Sequence, residues 1–256
     1  MKLSVIIPAY KQARTIRKDL AYIQHVLQHL RYDYEMIVVV DGKLDRTWEE
    51  AEEFRDNALQ KSKIKITGYE KNQGKGHAVR FGMQKATGEY VAFIDAGRDL
   101  NPNGLSMLHE HMEWYNADII VGSKRHPASK VFYPPIRIIY SIGYQILVKL
   151  LFGLKIRDTQ TGMKIFRKEV LDTIMPRLLI KRFAFDIEML AVANYCGFKK
   201  IYEAPITLEY NFSSSINKKV VWNMLWDTAA VFYRMRILQY YHDKNSRNWL
   251  SLKSQS

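Results

Sequence analysis

The sequence has a single cysteine, no apolar run long enough to cross a bilayer, and only 26 acidic side chains against 39 basic ones. Each shortage excludes something. The lone Cys196 rules out a disulfide framework and any multi-thiolate metal site, fits a reducing compartment, and is expected to be a small buried hydrophobe. The first apolar run, 3–7, follows Met1-Lys2 directly and stops at Pro8, so the start reads as mature and without a secretory signal. A spanning helix needs ~20 uninterrupted apolar residues. The longest candidate, 136–154, is broken every fourth residue by Arg137, Ser141, Gln145 and Lys149. Internal repeats and low-complexity tracts are also lacking.

What is present is a chain of 256 residues, 47% hydrophobic and 25% charged, which is enough for one globular α/β domain with a sizeable core and too apolar for disorder. Its net charge of +13 is unevenly placed. Residues 124–181 hold 12 Lys/Arg and 3 Asp/Glu, a net of +9, and residues 217–256 hold 7 and 2, a net of +5. The rest of the chain is near neutral, at −1. Nucleic acid, anionic lipid and phosphorylated small molecules all match a basic surplus. Because the positive charge coincides with apolar amphipathic segments and not with a polar face, nucleic acid is the poorest match.

Over residues 1–123, short Val/Ile-rich runs (3–7, 35–40, 64–69, 90–94, 118–122) alternate with helical candidates at about 11–31, 45–61, 75–87 and 103–115. This order predicts an α/β fold with a mostly parallel sheet, helices on both faces, and ligands beyond the carboxyl ends of the strands. Further on, two amphipathic helices are expected, at about 134–154 and 216–241. The second interleaves Trp222, Trp226, Phe232, Tyr233, Tyr240 and Tyr241 with Lys218, Lys219, Arg234 and Arg236. Aromatic rings with basic side chains suit a helix lying in a membrane surface. Plain packing on the domain is the competing reading. Residues 1–215 form the expected domain, 216–241 a C-terminal helix, and 242–256 a polar, frayed tail.

Several strand ends carry chemistry. Asp95 leads a turn containing Gly97 and Asp99, and a carboxylate pair beside a glycine suits a hard divalent cation that also holds a diphosphate, although a cap or solvated loop would read the same way. Asn72-Gln73-Gly74-Lys75-Gly76-His77 precedes a helix and offers N–H groups to a phosphate, without the spacing of a P-loop.

Taken in order, seven segments resemble the second family of glycosyltransferases, of the GT-A fold, and most closely its polyprenyl-phosphate (dolichyl-phosphate mannose synthase-like) branch. They are Ser-Val-Ile-Ile-Pro-Ala-Tyr (4–10), Val-Asp-Gly-Lys-Leu-Asp-Arg-Thr (40–47), Asn-Gln-Gly-Lys-Gly-His-Ala-Val-Arg-Phe-Gly (72–82), Ala-Thr-Gly-Glu-Tyr-Val-Ala-Phe-Ile-Asp-Ala (86–96), Gly-Ser-Lys-Arg-His-Pro (122–127), Arg-Asp-Thr-Gln-Thr-Gly-Met-Lys-Ile-Phe (157–166) and Phe-Asp-Ile-Glu-Met-Leu (185–190). The resemblance covers about residues 3–240 and is more specific for the family than for the branch.

The resemblance implies roles. Pro8, Ala9, Tyr10, Gln12, Asp41, Lys75 and Asp95 would bind a GDP- or UDP-sugar donor, and Asp95 with Asp99 would hold Mg²⁺ or Mn²⁺. The family usually reads Asp-Ala-Asp-Leu-Gln where this chain has Gly97 and Asp99 at the third and fifth places. It also usually has Asn-Glu at Lys11-Gln12 and Asp at Val40, departures that leave the donor open. Lys124, Arg125, Arg137 and Gln160 would meet the acceptor phosphate, Asp186 and Glu188 the sugar hydroxyls, and Asp95, Asp158 and Lys124 form the expected catalytic set. For Arg125, Asp186 and Glu188 a structural salt bridge is an equal alternative. The implied activity is metal-dependent, inverting transfer of a hexose, mannose or glucose, to polyprenyl phosphate by an enzyme attached peripherally to the cytoplasmic face of an anionic membrane. A saccharide or glycolipid acceptor, or a catalytically impaired nucleotide-sugar-binding partner protein, are the other readings.

Overall fold

The computed structural model describes residues 2–97, 100–129, 135–180, 184–208 and 218–242, with side chains described at all of these except 135–137 and 218–220. Asp99 and the tail from 243 lie outside the described residues, as does the side chain of Arg137.

Chain order is β1 (Lys2–Ala9), α1 (Ile16–Gln28), β2 (Asp33–Asp41), α2 (Thr47–Asn57), β3 (Ile64–Tyr69), α3 (Lys75–Lys85), β4 (Tyr90–Ile94), α4 (Gly104–Trp114), β5 (Ile119–Ser123), α5 (Pro135–Phe152), β6 (Met163–Arg167), α6 (Lys168–Ile174), α7 (Phe185–Tyr195), β7 (Ile201–Pro205) and α8 (Lys218–Arg236). The strands form one sheet in the order β3-β2-β1-β4-β6-β5-β7. All neighbours are parallel except β6, which runs antiparallel to β4 and β5.

Strand residues alternate between the two faces. Val5 and Ile7 join a core beneath α1, α2 and α4, whereas Ile6, Ile37 and Val39 join a core beneath α3 and α5 to α8. Both faces are therefore covered, which is why the strands read as continuous apolar runs. The sequence reversal between β1 and β4 is the topological switch, and a crevice opens at their carboxyl ends.

The two amphipathic helices pack on the domain, the plainer of the two readings. Val148 and Phe152 of α5, and Thr228, Val231 and Met235 of α8, are buried at helical spacing against the domain. The Tyr144 hydroxyl meets Thr228 Oγ1 at 2.9 Å, and the Phe152 and Phe232 rings stand edge to face at 6.3 Å, so α5 and α8 touch through these side chains. Their outer surface is apolar: Ile138, Ile139, Tyr140, Ile142, Ile146 and Leu150 on α5, with Trp222, Trp226 and Tyr233 on α8, are exposed. The polar Ser141 and Gln145, which interrupt the apolar run, are half exposed. No helix among the described residues is long and apolar enough to cross a membrane.

One buried carboxylate fastens the first half of the sheet. Glu35 on β2 accepts hydrogen bonds from Ser4 Oγ at 2.7 Å, Thr87 Oγ1 at 2.7 Å, Thr87 N at 2.8 Å and Lys65 Nζ at 2.9 Å. Burial alone would raise its pKa, but these donors outweigh burial and hold it at about 2. The depressed folded-state value means that its stabilisation is full above the ordinary carboxylate range and is lost as pH falls toward about 2. Glu35→Gln should cost about 2 kcal/mol at neutral pH, measured by urea unfolding. The gap from the parent should close as the solution is acidified, and a gap independent of pH would contradict this assignment.

Candidate active site

At the switch point, Pro8 and Ala9 end β1, Asp41 ends β2, and Asp95 follows β4. With Tyr10, Gln12, Asn72, Gly74, Lys75 and Ala96 they line one cavity of about 510 Å³. Every residue expected at the donor site is thus gathered there. Asp41 has a different immediate task from the base and ribose contact expected of it. Its carboxylate accepts from Tyr69 Oη (2.8 Å), Asn72 Nδ2 (2.7 Å), Gln73 N (2.8 Å) and Gly74 N (3.0 Å), which pins the 72–74 loop at the entrance to α3. Gly42 is required beside it, since its φ is +93° and a Cβ would stand 2.7 Å from Asn72 N.

Behind this cavity the charges alternate. Lys75 Nζ lies 2.8 Å from Asp95 Oδ2 and 3.9 Å from Asp186 Oδ2, and Asp186 Oδ1 lies 2.5 Å from Lys164 Nζ. Lys164 is wholly buried and also donates to the Thr161 carbonyl at 2.5 Å. Burial opposes the charge on both lysines. At Lys75 the two carboxylates outweigh it and raise the pKa, whereas at Lys164 burial dominates and lowers it. Asp186 is therefore an ion-pair partner, as the structural alternative held.

Asp95 is placed by β6. Its N–H donates to the Gly162 carbonyl at 2.9 Å, and a Cβ at position 162 would stand 1.8 Å from Asp95 Oδ2. Because β6 is antiparallel, its first residues lie at the carboxyl end of β4, where Met163 pairs with Ile94. This brings the 157–162 segment to Asp95.

The side-chain oxygens Asp95 Oδ1 and Gln12 Oε1 are buried, have no hydrogen-bond partner, and belong to residues lining the donor cavity. No group of three His, Cys, Asp or Glu side chains suited to a metal occurs among the described residues. Two hard oxygens fit Mg²⁺ or Mn²⁺ when a diphosphate and water complete the shell, which is how Mg²⁺ is commonly held. Gly97, at the usual third carboxylate place, offers none.

A small cavity of about 120 Å³ lined by Asp95, Ala96, Lys124 and Gln160 continues from the first. It leads to a groove of about 610 Å³, lined by Lys124, Arg157, Asp158 and Gln160 at one end and by Tyr140, Tyr144, Leu147, Val221, Met224 and Leu225 of α5 and α8 along its length. Lys124 and Gln160 line both the small cavity and the groove. Asp158 lines the groove, but its carboxylate is engaged by Lys124 N (3.1 Å), Gln160 N (3.1 Å) and Thr161 Oγ1 (2.6 Å), so it shapes the loop that presents Lys124 and Gln160.

Two expectations need correction. Arg125 does not face the groove: its guanidinium donates to the carbonyls of Ser141 and Arg157, each at 3.1 Å, and clamps α5 to the 157 loop. Glu188 does not reach the cleft either. It is fully buried, accepts from Leu179 N, Ile180 N and, at 2.6 Å, Tyr241 Oη, and burial raises its pKa. It secures the chain after α8 against α7. Sequence reasoning missed Arg157, the arginine that does line the groove, and Lys164. Both lie inside the quoted 157–166 segment, yet only the reversed direction of β6 shows which of its side chains turn inward.

Gly162→Ala should displace Asp95 and lower turnover by about 100-fold while the melting temperature moves little. A fully active variant would show that this close approach is dispensable.

The model of glycosyl transferase family 2 matches residues 4–175. Among curated relatives, the human dolichyl-phosphate beta-glucosyltransferase is 28% identical, with 93% of this chain aligned to 76% of that one. A dolichyl-phosphate beta-glucosyltransferase of Trichomonas vaginalis, ALG5D, is 30% identical, with 92% aligned to 75%. The dolichol-phosphate mannosyltransferase of Pyrococcus furiosus is 32% identical, with 81% aligned to 56%. The chain spans 63% of the length of another Trichomonas vaginalis glucosyltransferase, ALG5C. Among solved structures, mannosyl-3-phosphoglycerate synthase from Rubrobacter xylanophilus superposes with a TM-score of 0.68 at 15% identity, covering 95% of this chain and 76% of that one. Glucosyl-3-phosphoglycerate synthase from Mycobacterium tuberculosis, solved with Mn²⁺, UDP and phosphoglyceric acid, gives 0.65 at 18% identity, covering 91% and 77%. At such identities these structures establish the GT-A fold. With the matched model covering most of the strand-end residues that line the two cavities and the groove, the chain belongs to glycosyl transferase family 2.

Proposed function

We propose that the protein transfers a hexose, glucose or mannose, from a GDP- or UDP-sugar to polyprenyl phosphate at a membrane surface. The observation that carries this reading is the succession of cavities that share walls, the donor cavity and the small one at Asp95 and Ala96, the small one and the groove at Lys124 and Gln160, with α5 and α8 along the groove and apolar on their outer faces. A donor enters at one end and a lipid tail leaves at the other.

A prenyl phosphate carries ~1.5 to 2 negative charges near neutral pH, so its oxygen is already nucleophilic and what the site must supply is positive charge. Lys124, at the junction, and Arg157, in the wall of the groove, are placed to supply it. In-line attack on the anomeric carbon inverts its configuration and releases the nucleoside diphosphate, whose growing charge falls beside Lys75. A bound Mg²⁺ or Mn²⁺, held through Asp95 and the Gln12 carbonyl oxygen, would neutralise the diphosphate. The exposed rings and aliphatic side chains of α5 and α8, among basic residues, support peripheral attachment to the anionic cytoplasmic leaflet.

Purified protein given labelled UDP-glucose, GDP-mannose or UDP-N-acetylglucosamine, polyprenyl phosphate and either metal should yield an organic-soluble labelled lipid. Asp95→Asn should reduce that rate by about 1000-fold. Failure of every donor with both metals present would refute the proposal, and product formed without prenyl phosphate would favour a saccharide acceptor.

A further inference from the structure

A further cavity lies beside this route and shares only Arg157 with the groove. It has a volume of about 720 Å³ and lies along the edge strand β7, beside the 153–157 segment that follows α5. Four basic side chains line it: His126, Lys155, Arg157 and Lys199. Lys199 Nζ donates to the Asn194 carbonyl and Oδ1, which are neutral oxygens, and among the described residues no carboxylate pairs with Lys155, Arg157 or Lys199. The one acidic lining residue, Glu203, already accepts the Arg157 and Asp158 N–H groups at 2.8 and 3.1 Å. Tyr115 and Tyr202, with ring centroids 5.4 Å apart, give the cavity an aromatic wall that is half exposed.

Its position is as informative as its charge. α5 keeps an apolar outer face down to its last turn, where Leu150 is 78% exposed. Gly153, at φ +69°, then ends the helix and turns the chain into the cavity wall, within one helical turn of Leu150. A cavity of net positive charge, with Lys155, Arg157 and Lys199 against Glu203, an aromatic wall and an exposed apolar helix face beside it, is complementary to a phosphodiester held at headgroup depth.

We infer that this cavity binds the phosphate headgroup of an anionic phospholipid, distinct from the acceptor phosphate. The inference rests on the reading that α5 and α8 lie on a bilayer. The ligand commits the protein to one orientation on the bilayer, with the mouth of the acceptor groove toward the membrane.

The test titrates the full chain with phosphatidylcholine vesicles with and without phosphatidylglycerol, and separately with dihexanoyl phosphatidylglycerol and with inorganic phosphate. Lys155→Gln/Lys199→Gln should weaken binding to the anionic vesicles by about tenfold or more, and Tyr202→Ala should weaken it several-fold with no change of charge. Lys18→Gln/Lys61→Gln removes the same charge from exposed sites elsewhere and should have less than about a twofold effect. Transfer to prenyl phosphate in detergent should be unchanged in all three variants. Equal losses in the two lysine pairs, or no loss in Tyr202→Ala, would show diffuse attraction and overturn the site. Inorganic phosphate binding as tightly as the short-chain lipid would overturn the lipid assignment. A parent protein that binds neither vesicle would overturn the membrane reading itself, and binding that ignores phosphatidylglycerol would overturn this inference alone.

Discussion

The reaction centre depends on a row of four alternating charges, Asp95, Lys75, Asp186 and Lys164, running from the donor cavity into the core. A buried ammonium such as that of Lys164 is costly alone and tolerable only with a carboxylate and a further acceptor in reach, here Asp186 and the Thr161 carbonyl. Asp186 is thereby fixed, and it shares in holding Lys75 against Asp95. The row joins α3, β4, β6 and α7, so the charged floor of the site is also where four elements of the fold are registered to one another.

The direction of β6 links that row to the acceptor side. An antiparallel strand between β4 and β5 starts where its neighbours finish, and this delivers the 157–162 segment to the carboxyl end of β4. Gly162 then permits the close approach of Asp95, Asp158 folds the loop, and Lys124 and Gln160 are left at the junction between the donor cavity and the groove. Arg125, anchored to both α5 and the 157 loop, sets where the groove begins.

Much of this was legible in the residues. The Val/Ile runs that became β1, β2, β4 and β5 are largely buried on both faces, so their apolar character is local and readable, and the residues after them had to lie at one end of a parallel sheet. The strands β6 and β7 were not legible by the same test. β6 contains Lys164 and ends on Arg167, and β7 alternates Tyr202 and Glu203 with partly buried neighbours, because it is an edge. Glu188 misled for a related reason: a carboxylate beside Asp186 in a cleft-facing segment looks like a ligand, and its engagement by Tyr241, 53 residues away, is visible only after folding. Arg157 lines the groove and Arg125 does not, because proximity in sequence to β5 says nothing about which carbonyls a long side chain reaches.

Charge and apolar surface meet on α5 and α8. The basic excess noted along residues 124–181 includes Lys124 and Arg157, which line the groove. The central claim is that this groove holds the lipid while its phosphate reaches the donor, and photo-crosslinking with a benzophenone-bearing prenyl phosphate tests it most directly. The account predicts labelled peptides from 139–147 of α5 and 221–225 of α8, protected by excess unlabelled prenyl phosphate. Labelling confined to other parts of the chain, or undiminished by competitor, would contradict it.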